Sequence, residues 1–178
     1  MPNTRQLLVL PFIVAGMLLP TRSFAQGPGM GYAFGGPLEF SNLGERSIAW
    51  SVGGGGEHVV DSTGVGGDVE VVHFPAVNFR SKTYGYSMPP ANAALVSGNG
   101  YHHFSKAASN GVRPFLTAGG GLLLAGEASA PTFNAGGGLD WWADRRTGIR
   151  LEVRDQIVPS TYGLFQLSLA LRVGLIFR

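Results

Sequence analysis

Two sets of residues in this sequence have the types and spacing to do chemistry. Ser97, Asn99, Tyr101 and His103 alternate along one stretch, and a serine hydroxyl sharing a face with an imidazole is the minimum equipment for acyl transfer. A serine nucleophile also needs a base and an orienting group within hydrogen-bond reach. No pattern around Ser97 supplies them, so the sequence assigns no catalytic residue. The second set is Arg150, Glu152 and Arg154, joined by Glu57, Asp68, Glu70, Asp140 and Arg172. These charges sit inside otherwise apolar or glycine-rich stretches, several of them at every second position. That spacing suits ion pairing across a confined interior.

Other chemistries are excluded by context. His102 and His103 are consecutive, so on a strand they face opposite sides and cannot chelate one ion. A hairpin over Asp61–Gly64 sets His73 opposite Val52, away from His58. The glycine runs Gly53–Gly56, Gly119–Gly121 and Gly136–Gly138 lack the helix start and the Lys-Ser/Thr pair of a phosphate loop. They read as bends or close packing in a small barrel. There is no cysteine, hence no disulfide framework and no thiolate metal site. No metal and no cofactor is called for.

The elements that must position these residues are strands. From Phe165 onward every odd position is apolar, through Leu167, Leu169, Leu171, Val173, Leu175 and Phe177, while the even positions include Gln166, Ser168 and Arg172. Side chains alternate faces along a strand, and this stretch exceeds the ordinary globular strand of roughly five or six residues. It is long enough to cross a bilayer, which takes about 9–11 tilted residues. Eight such segments are predicted: Met30–Leu38, Ser47–Val60, Val65–Phe74, Asn92–Phe104, Val112–Leu124, Thr132–Ala143, Gly148–Ile157 and Gly163–Phe177. None carries a 3.6-residue period. Asp61–Gly64, Ser105–Gly111 and Asp144–Thr147 read as short turns. Glu39–Arg46, Pro75–Ala91, Ala125–Pro131 and Val158–Tyr162 read as longer loops on the other side. Short turns opposite long loops are the pattern of an outer-membrane barrel, and an even strand count puts both ends on the short-turn, periplasmic side.

Residues 1–25 read as a secretory signal, with Arg5 in a positive start, an apolar core over Leu7–Leu19 and Ser23-Phe24-Ala25 before the cleavage point. The core is too short for a membrane helix, which needs about 20 residues. Residues 26–178 then form one barrel domain. Removing Arg5 and Arg22 from the thirteen basic residues leaves eleven, equal to the eleven acids. A balanced charge argues against nucleic-acid binding. Trp50, Trp141, Trp142, Phe104, Tyr101 and Phe177 cluster near strand ends, as interface girdles do. Tyr101 and Trp142 are the two whose alternation also allows an inward position.

Energetics sets the faces. An arginine at the bilayer midplane costs about 2–4 kcal/mol, so Arg150, Arg154 and Arg172 point inward, as do Glu57, Asp68, Glu70, Asp140 and Glu152. The first, fourth and fifth strands are too rich in small residues to assign. The expectation is a lumen closed by paired charges, with Asp140 directly or diagonally across from Arg150. Five inward acids against three inward arginines leave some acids unpaired, and Glu57 and Asp68, nearest the turns, are expected in water.

Several runs carry a family likeness. Phe133-Asn-Ala-Gly-Gly-Gly-Leu-Asp-Trp-Trp142, Arg146, Gly148-Ile-Arg-Leu-Glu-Val-Arg-Asp155 and Val112-Arg-Pro-Phe115 leading into Gly119–Gly121 resemble the small outer-membrane β-barrel family typified by OmpA and OmpX. Arg172-x-Gly174-x-x-Phe177 resembles the signal by which such barrels are recognised for insertion, although the family commonly ends on an aromatic residue and here Arg178 follows. The resemblance implies an all-β, eight-stranded antiparallel up-and-down transmembrane β-barrel in a Gram-negative-type outer membrane. Its partners would be outer-membrane lipid and the barrel-assembly machinery. The leading functional reading is a non-enzymatic envelope protein, structural or interacting through its loops. Arg80, Lys82, Tyr84 and Tyr86 in the 75–91 loop would be the surface for an extracellular partner. A lipid A deacylase or acyltransferase built around Ser97 and His103 is the enzymatic alternative. A soluble lipocalin-like binder, with apolar side chains turned inward, is the third.

Overall fold

Alternation of apolar and polar residues is satisfied when one face of each strand meets lipid and the other a closed interior, and the computed structural model has that form. It describes residues 29–42, 45–80, 85–104, 111–159 and 165–178; the predicted signal segment lies outside them. Eight strands make the barrel: β1 (Gly29–Asn42), β2 (Glu45–Val60), β3 (Thr63–Phe74), β6 (Ala91–His103), β7 (Gly111–Ala125), β8 (Ala128–Trp142), β9 (Thr147–Pro159) and β10 (Phe165–Phe177). Each pairs antiparallel with its chain neighbours, and β1 closes on β10. Closure leaves no unpaired strand edge in lipid. β4 (Val77–Arg80) and β5 (Gly85–Met88) form a separate two-stranded sheet inside the connection between β3 and β6.

The period of two appears directly in exposure. On β9, Ile149, Leu151 and Val153 face outward while Arg150, Glu152 and Arg154 are buried. Trp50, Phe133, Trp141, Leu171, Val173 and Leu175 continue the outward apolar surface. Tyr101 and Trp142 are both buried inside, so of the six predicted girdle residues Trp50, Phe104, Trp141 and Phe177 face outward.

Three connections, β1–β2, β2–β3 and β7–β8, differ from the predicted ones. Among the described residues the upper rim, which carries β4 and β5, has one long connection, and two of the predicted loops are largely paired strand. β7 and β8 pair as far as Ala125 opposite Ala128, around Gly126, whose φ of 62° favours glycine. Pro131 suggested a loop because proline cannot donate to a ladder, yet the pairing runs through it, opposite Leu122. β1 and β2 likewise pair up to Asn42 opposite Glu45, and the polar residues Glu39 and Arg46 lie within them as a surface ion pair of 3.2 Å. Such an exposed pair adds little stability. At the lower rim the β2–β3 turn is only Asp61 and Ser62, with Asp61 at φ 55°. The shorter turn shifts the register by two, so His73 stands opposite Trp50 and Val71 opposite Val52. Residues 105–110 and 160–164, in two further connections, lie outside the described residues.

The turn between β8 and β9 is held by one side chain. Asp144 accepts hydrogen bonds from the Thr147 hydroxyl at 2.7 Å and from the N–H groups of Arg146 and Thr147 at 2.6 and 2.7 Å. These bonds, the Thr147 hydroxyl first, hold its carboxyl below the ordinary carboxylate pKa. Because the folded value is depressed, the contribution is present above the unfolded value of about 3.9 and is lost as pH falls through the folded one. Asp144→Ala is therefore expected to lower stability at neutral pH. The gap from wild type should close as unfolding is measured at pH values falling below about 4.

Glycines on the inner face make room for large neighbours. Phe34 and Tyr32 of β1 stand opposite Gly53 and Gly55 of β2. A Cβ on Gly53 would lie 2.6 Å from Phe34 Cζ and 2.5 Å from the Val69 carbonyl oxygen. Gly53→Val should destabilise the barrel by about 1–3 kcal/mol through overpacking, read as a lower urea midpoint with an unchanged slope. The sequence left β1 unassigned, and its inner face is apolar. Met30, Tyr32 and Phe34 pack with Trp142 and Ile176 near the lower rim, and Leu38 and Phe40 with Ala49, Val72 and Ala170 toward the upper rim.

Candidate functional site: the charged interior of the barrel

Beside those two apolar clusters lies a layer of charged side chains, with Glu57 opposite Met30 in the register and Arg150 against the Tyr32 ring. Strand alternation brings Asp140 of β8 inward, opposite Arg150 of β9. Arg150 donates from Nε to Asp140 Oδ1 at 2.7 Å and from a terminal nitrogen to Oδ2 at 3.1 Å, a fork-to-carboxylate pair. It also reaches Glu57 of β2 at 3.2 Å. Arg113 of β7 donates to Asp140 Oδ2 at 2.9 Å. His103 Nε2 of β6 lies 2.5 Å from Glu57 Oε1. The Arg150 guanidinium is flanked by aromatic rings, 4.4 Å from the Phe115 centroid and 4.8 Å from that of Tyr32. Such contacts favour a cation that has lost its water. The Tyr32 and Tyr101 hydroxyls are 2.9 Å apart.

The next layer is built the same way. Arg154 donates to Asp68 Oδ2 at 2.9 Å and to Glu152 Oε1 at 2.5 Å. Asn99 Nδ2 donates to the same Asp68 oxygen at 2.7 Å. Arg172 bonds Glu70, and its guanidinium lies 4.4 Å from the Phe34 centroid. It also stands 4.0 Å from Asp68 and 3.9 Å from Glu152. The charged side chains of both layers are 3 % exposed or less. An ion moved from water into such surroundings loses several kcal/mol of hydration, which only close pairing offsets.

The network corrects three expectations. Glu57 and Asp68 are buried and paired, not in water. Each of the five predicted inward acids has a basic partner. Arg113 and His103 supply the missing bases, on strands whose small residues hid the alternation. The signal for Arg113 was nonetheless present, since a lone arginine in a lipid-crossing strand must face inward for the same energetic reason as Arg150.

The remaining residues fall as follows. Ser97 and His103 lie on one face of β6, six residues apart, which is about 20 Å along a strand. His103 is engaged by Glu57, and Ser97 Oγ has no partner, so the two do not form a nucleophile and base. His73 Nδ1 lies 2.8 Å from Asn92 Oδ1 on the outer surface. Among the described residues no group of three or more potential ligands could hold a metal ion. Of the insertion-signal residues, Arg172 is buried in the network, Gly174 stands opposite Arg150, and Phe177 packs over Gly31. In the long connection, Arg80 pairs with Gly85 and Tyr86 with Phe79 across the β4–β5 sheet. Lys82 and Tyr84 lie outside the described residues.

No family model and no curated protein matches the sequence. Solved structures match the fold. The crystal structure of Neisserial surface protein A (NspA) superposes with a TM-score of 0.66 at 11 % identity, over 85 % of this chain and 97 % of that one. The N-terminal β-barrel domain of Pseudomonas aeruginosa OprF gives 0.51 at 15 % identity, over 85 % of this chain and 98 % of that one. With its closed ring of eight antiparallel strands, apolar outside and charged within, this chain has the fold of the small outer-membrane β-barrels.

Proposed function

We propose that this protein is a non-enzymatic integral protein of a Gram-negative-type outer membrane. On this reading residues 1–25 are a cleaved export signal, and Arg172, Gly174 and Phe177 present the closing strand to the barrel-assembly machinery. The barrel serves as a closed scaffold, and the β3–β6 connection, with Arg80, Lys82, Tyr84 and Tyr86, is the surface for an extracellular partner. The observation that carries the reading is the cross-barrel ion network. Arg150, Arg154 and Arg172 each reach from one wall to acids on β2 or β3, which favours a plugged interior over a pore. An interior of eight strands is narrow enough for side chains to fill. Separation of Ser97 from His103 favours the scaffold over the enzyme.

Planar-bilayer recording of the purified barrel tests the plug. The wild type is expected to show no steady large conductance, and steady open-channel current would defeat the proposal. Deletion of Arg80–Ser87 tests the recognition surface. It should abolish adhesion while leaving envelope integrity and the folded barrel intact. Lipid A from cells with and without the gene should carry the same acyl pattern; a change restored only by intact Ser97 and His103 would favour the enzyme instead.

A further inference from the structure

Three guanidinium groups converge at the lower mouth of the barrel. Arg113 and Arg150 share Asp140. Arg178 lies over the Trp142 ring, its Cζ 4.0 Å from the centroid, and its backbone N–H donates to the Arg146 carbonyl at 2.9 Å. Burial first, and the like charge of Arg113 second, hold the Arg178 pKa below the ordinary arginine value. Among the described residues no carboxylate pairs with Arg178, and Asp140, the nearby acid, is already taken by two other arginines. Besides Arg150 Nη1, two more donors at this mouth have no partner. They are Arg113 Nε and Trp142 Nε1, on side chains of residues only 3 % and 2 % exposed. Their strands are adjacent, and the two side chains stand diagonally across the β7–β8 register, where Gly111 faces Trp142 and Arg113 faces Asp140.

Arg113 Nε, Arg150 Nη1 and Trp142 Nε1 are all donors. A buried donor without an acceptor is costly, and guanidinium forks match the oxygens of an anion. A phosphate has enough acceptor oxygens to meet donors arriving from three side chains. Height indicates where that phosphate comes from. Trp141 and Phe177 face outward in the same layer, Trp141 opposite Val112 and Phe177 opposite Thr147, and outward aromatics mark the headgroup level. We propose that the lower mouth is a phosphate site, formed by Arg178, Arg113 and Trp142 Nε1, which takes the headgroup phosphate of an anionic phospholipid from the adjoining leaflet.

The test is native mass spectrometry of the full barrel released from vesicles of phosphatidylcholine mixed with phosphatidylglycerol. Wild type is expected to retain phosphatidylglycerol. Arg178→Gln and Trp142→Phe should each reduce retention about tenfold, the size of one lost charge-assisted hydrogen bond. Arg46→Gln, at the opposite rim, should leave it unchanged. Arg113 is not varied, because it also holds Asp140 and its loss would confound folding. A second arm follows the thermal midpoint in zwitterionic micelles as inorganic phosphate is added at constant ionic strength. A rise in wild type that Arg178→Gln abolishes, without Arg178-dependent lipid retention, would keep the phosphate site and overturn the lipid as its source. Unchanged lipid retention and unchanged phosphate response in both variants, each shown folded by heat-modifiable migration, would overturn the site itself.

Discussion

Replacing Arg154 with alanine is expected to destabilise the folded barrel by about 3–5 kcal/mol, the size of a buried ion pair broken from one side. The Arg154 side chain is fully buried, and it is the closest basic partner of both Asp68 and Glu152. Without it, Asp68 keeps Asn99 as a direct donor, while Arg172 stands 3.9–4.0 Å from both acids. The effect should come from stranded charge rather than lost volume. Arg154→Met combined with Asp68→Asn and Glu152→Gln, which removes charge from both sides, should therefore recover most of the loss. Buried pairs replaced by neutral groups of similar size are often no less stable. Urea unfolding of the barrel in lipid vesicles measures both variants. A loss below about 1 kcal/mol for Arg154→Ala would mean that the interior is hydrated and the pairs are worth no more than surface ones.

The neighbouring position gives the opposite experiment. Val153 is 48 % exposed, and it faces outward midway along β9. Val153→Arg should destabilise the barrel by about 2–4 kcal/mol in a bilayer, because a charge at the midplane has lipid as its solvent. In a water-soluble barrel of the same shape the substitution would be near neutral, since exposed surface changes are usually within about 0.5 kcal/mol. Equal unfolding free energies for wild type and Val153→Arg in vesicles would restore the soluble lipocalin-like reading. That reading has one feature in its favour, the apolar inner face of β1 with Met30, Tyr32, Phe34, Leu38 and Phe40. These side chains pack into two clusters beside the charged layers, and the outward surface carries Ile48, Trp50, Leu151, Leu171 and Leu175. An outer apolar surface of this kind is what lipid requires and water does not.

Much of this was legible in the residues. Alternation is a property of the chain over a few positions, so β9 and β10 could be read with their faces assigned, and the inward direction of Arg150, Arg154 and Arg172 followed from the energy of charge in lipid alone. Where small residues interrupt the pattern, as on β6 and β7, alternation carries little hydrophobic contrast, and Arg113 and His103 stayed hidden; on β1 the large apolar residues turn inward and the small ones outward, so its inner aromatics were missed as well. Strand ends were misread at the upper rim for a related reason. Glu39, Arg46 and Pro131 look like loop residues, but above the apolar belt backbone pairing continues with polar side chains.

The sequence by itself therefore determined that eight lipid-crossing strands exist and that Arg150, Arg154, Arg172 and five acids point inward, because both follow from local spacing and a single transfer energy. Only the tertiary structure decided who meets whom inside. Arg154 bonds Asp68 across 86 residues of chain, Arg150 bonds Glu57 across 93 and Arg172 bonds Glu70 across 102. Those partners are set by the register of each hairpin and by the closure of β1 on β10. A two-residue change in one turn, such as the one at Asp61, moves every pairing beyond it. Alternation fixes a side chain's face but not its height or its opposite wall, and ion pairing in a closed barrel depends on both.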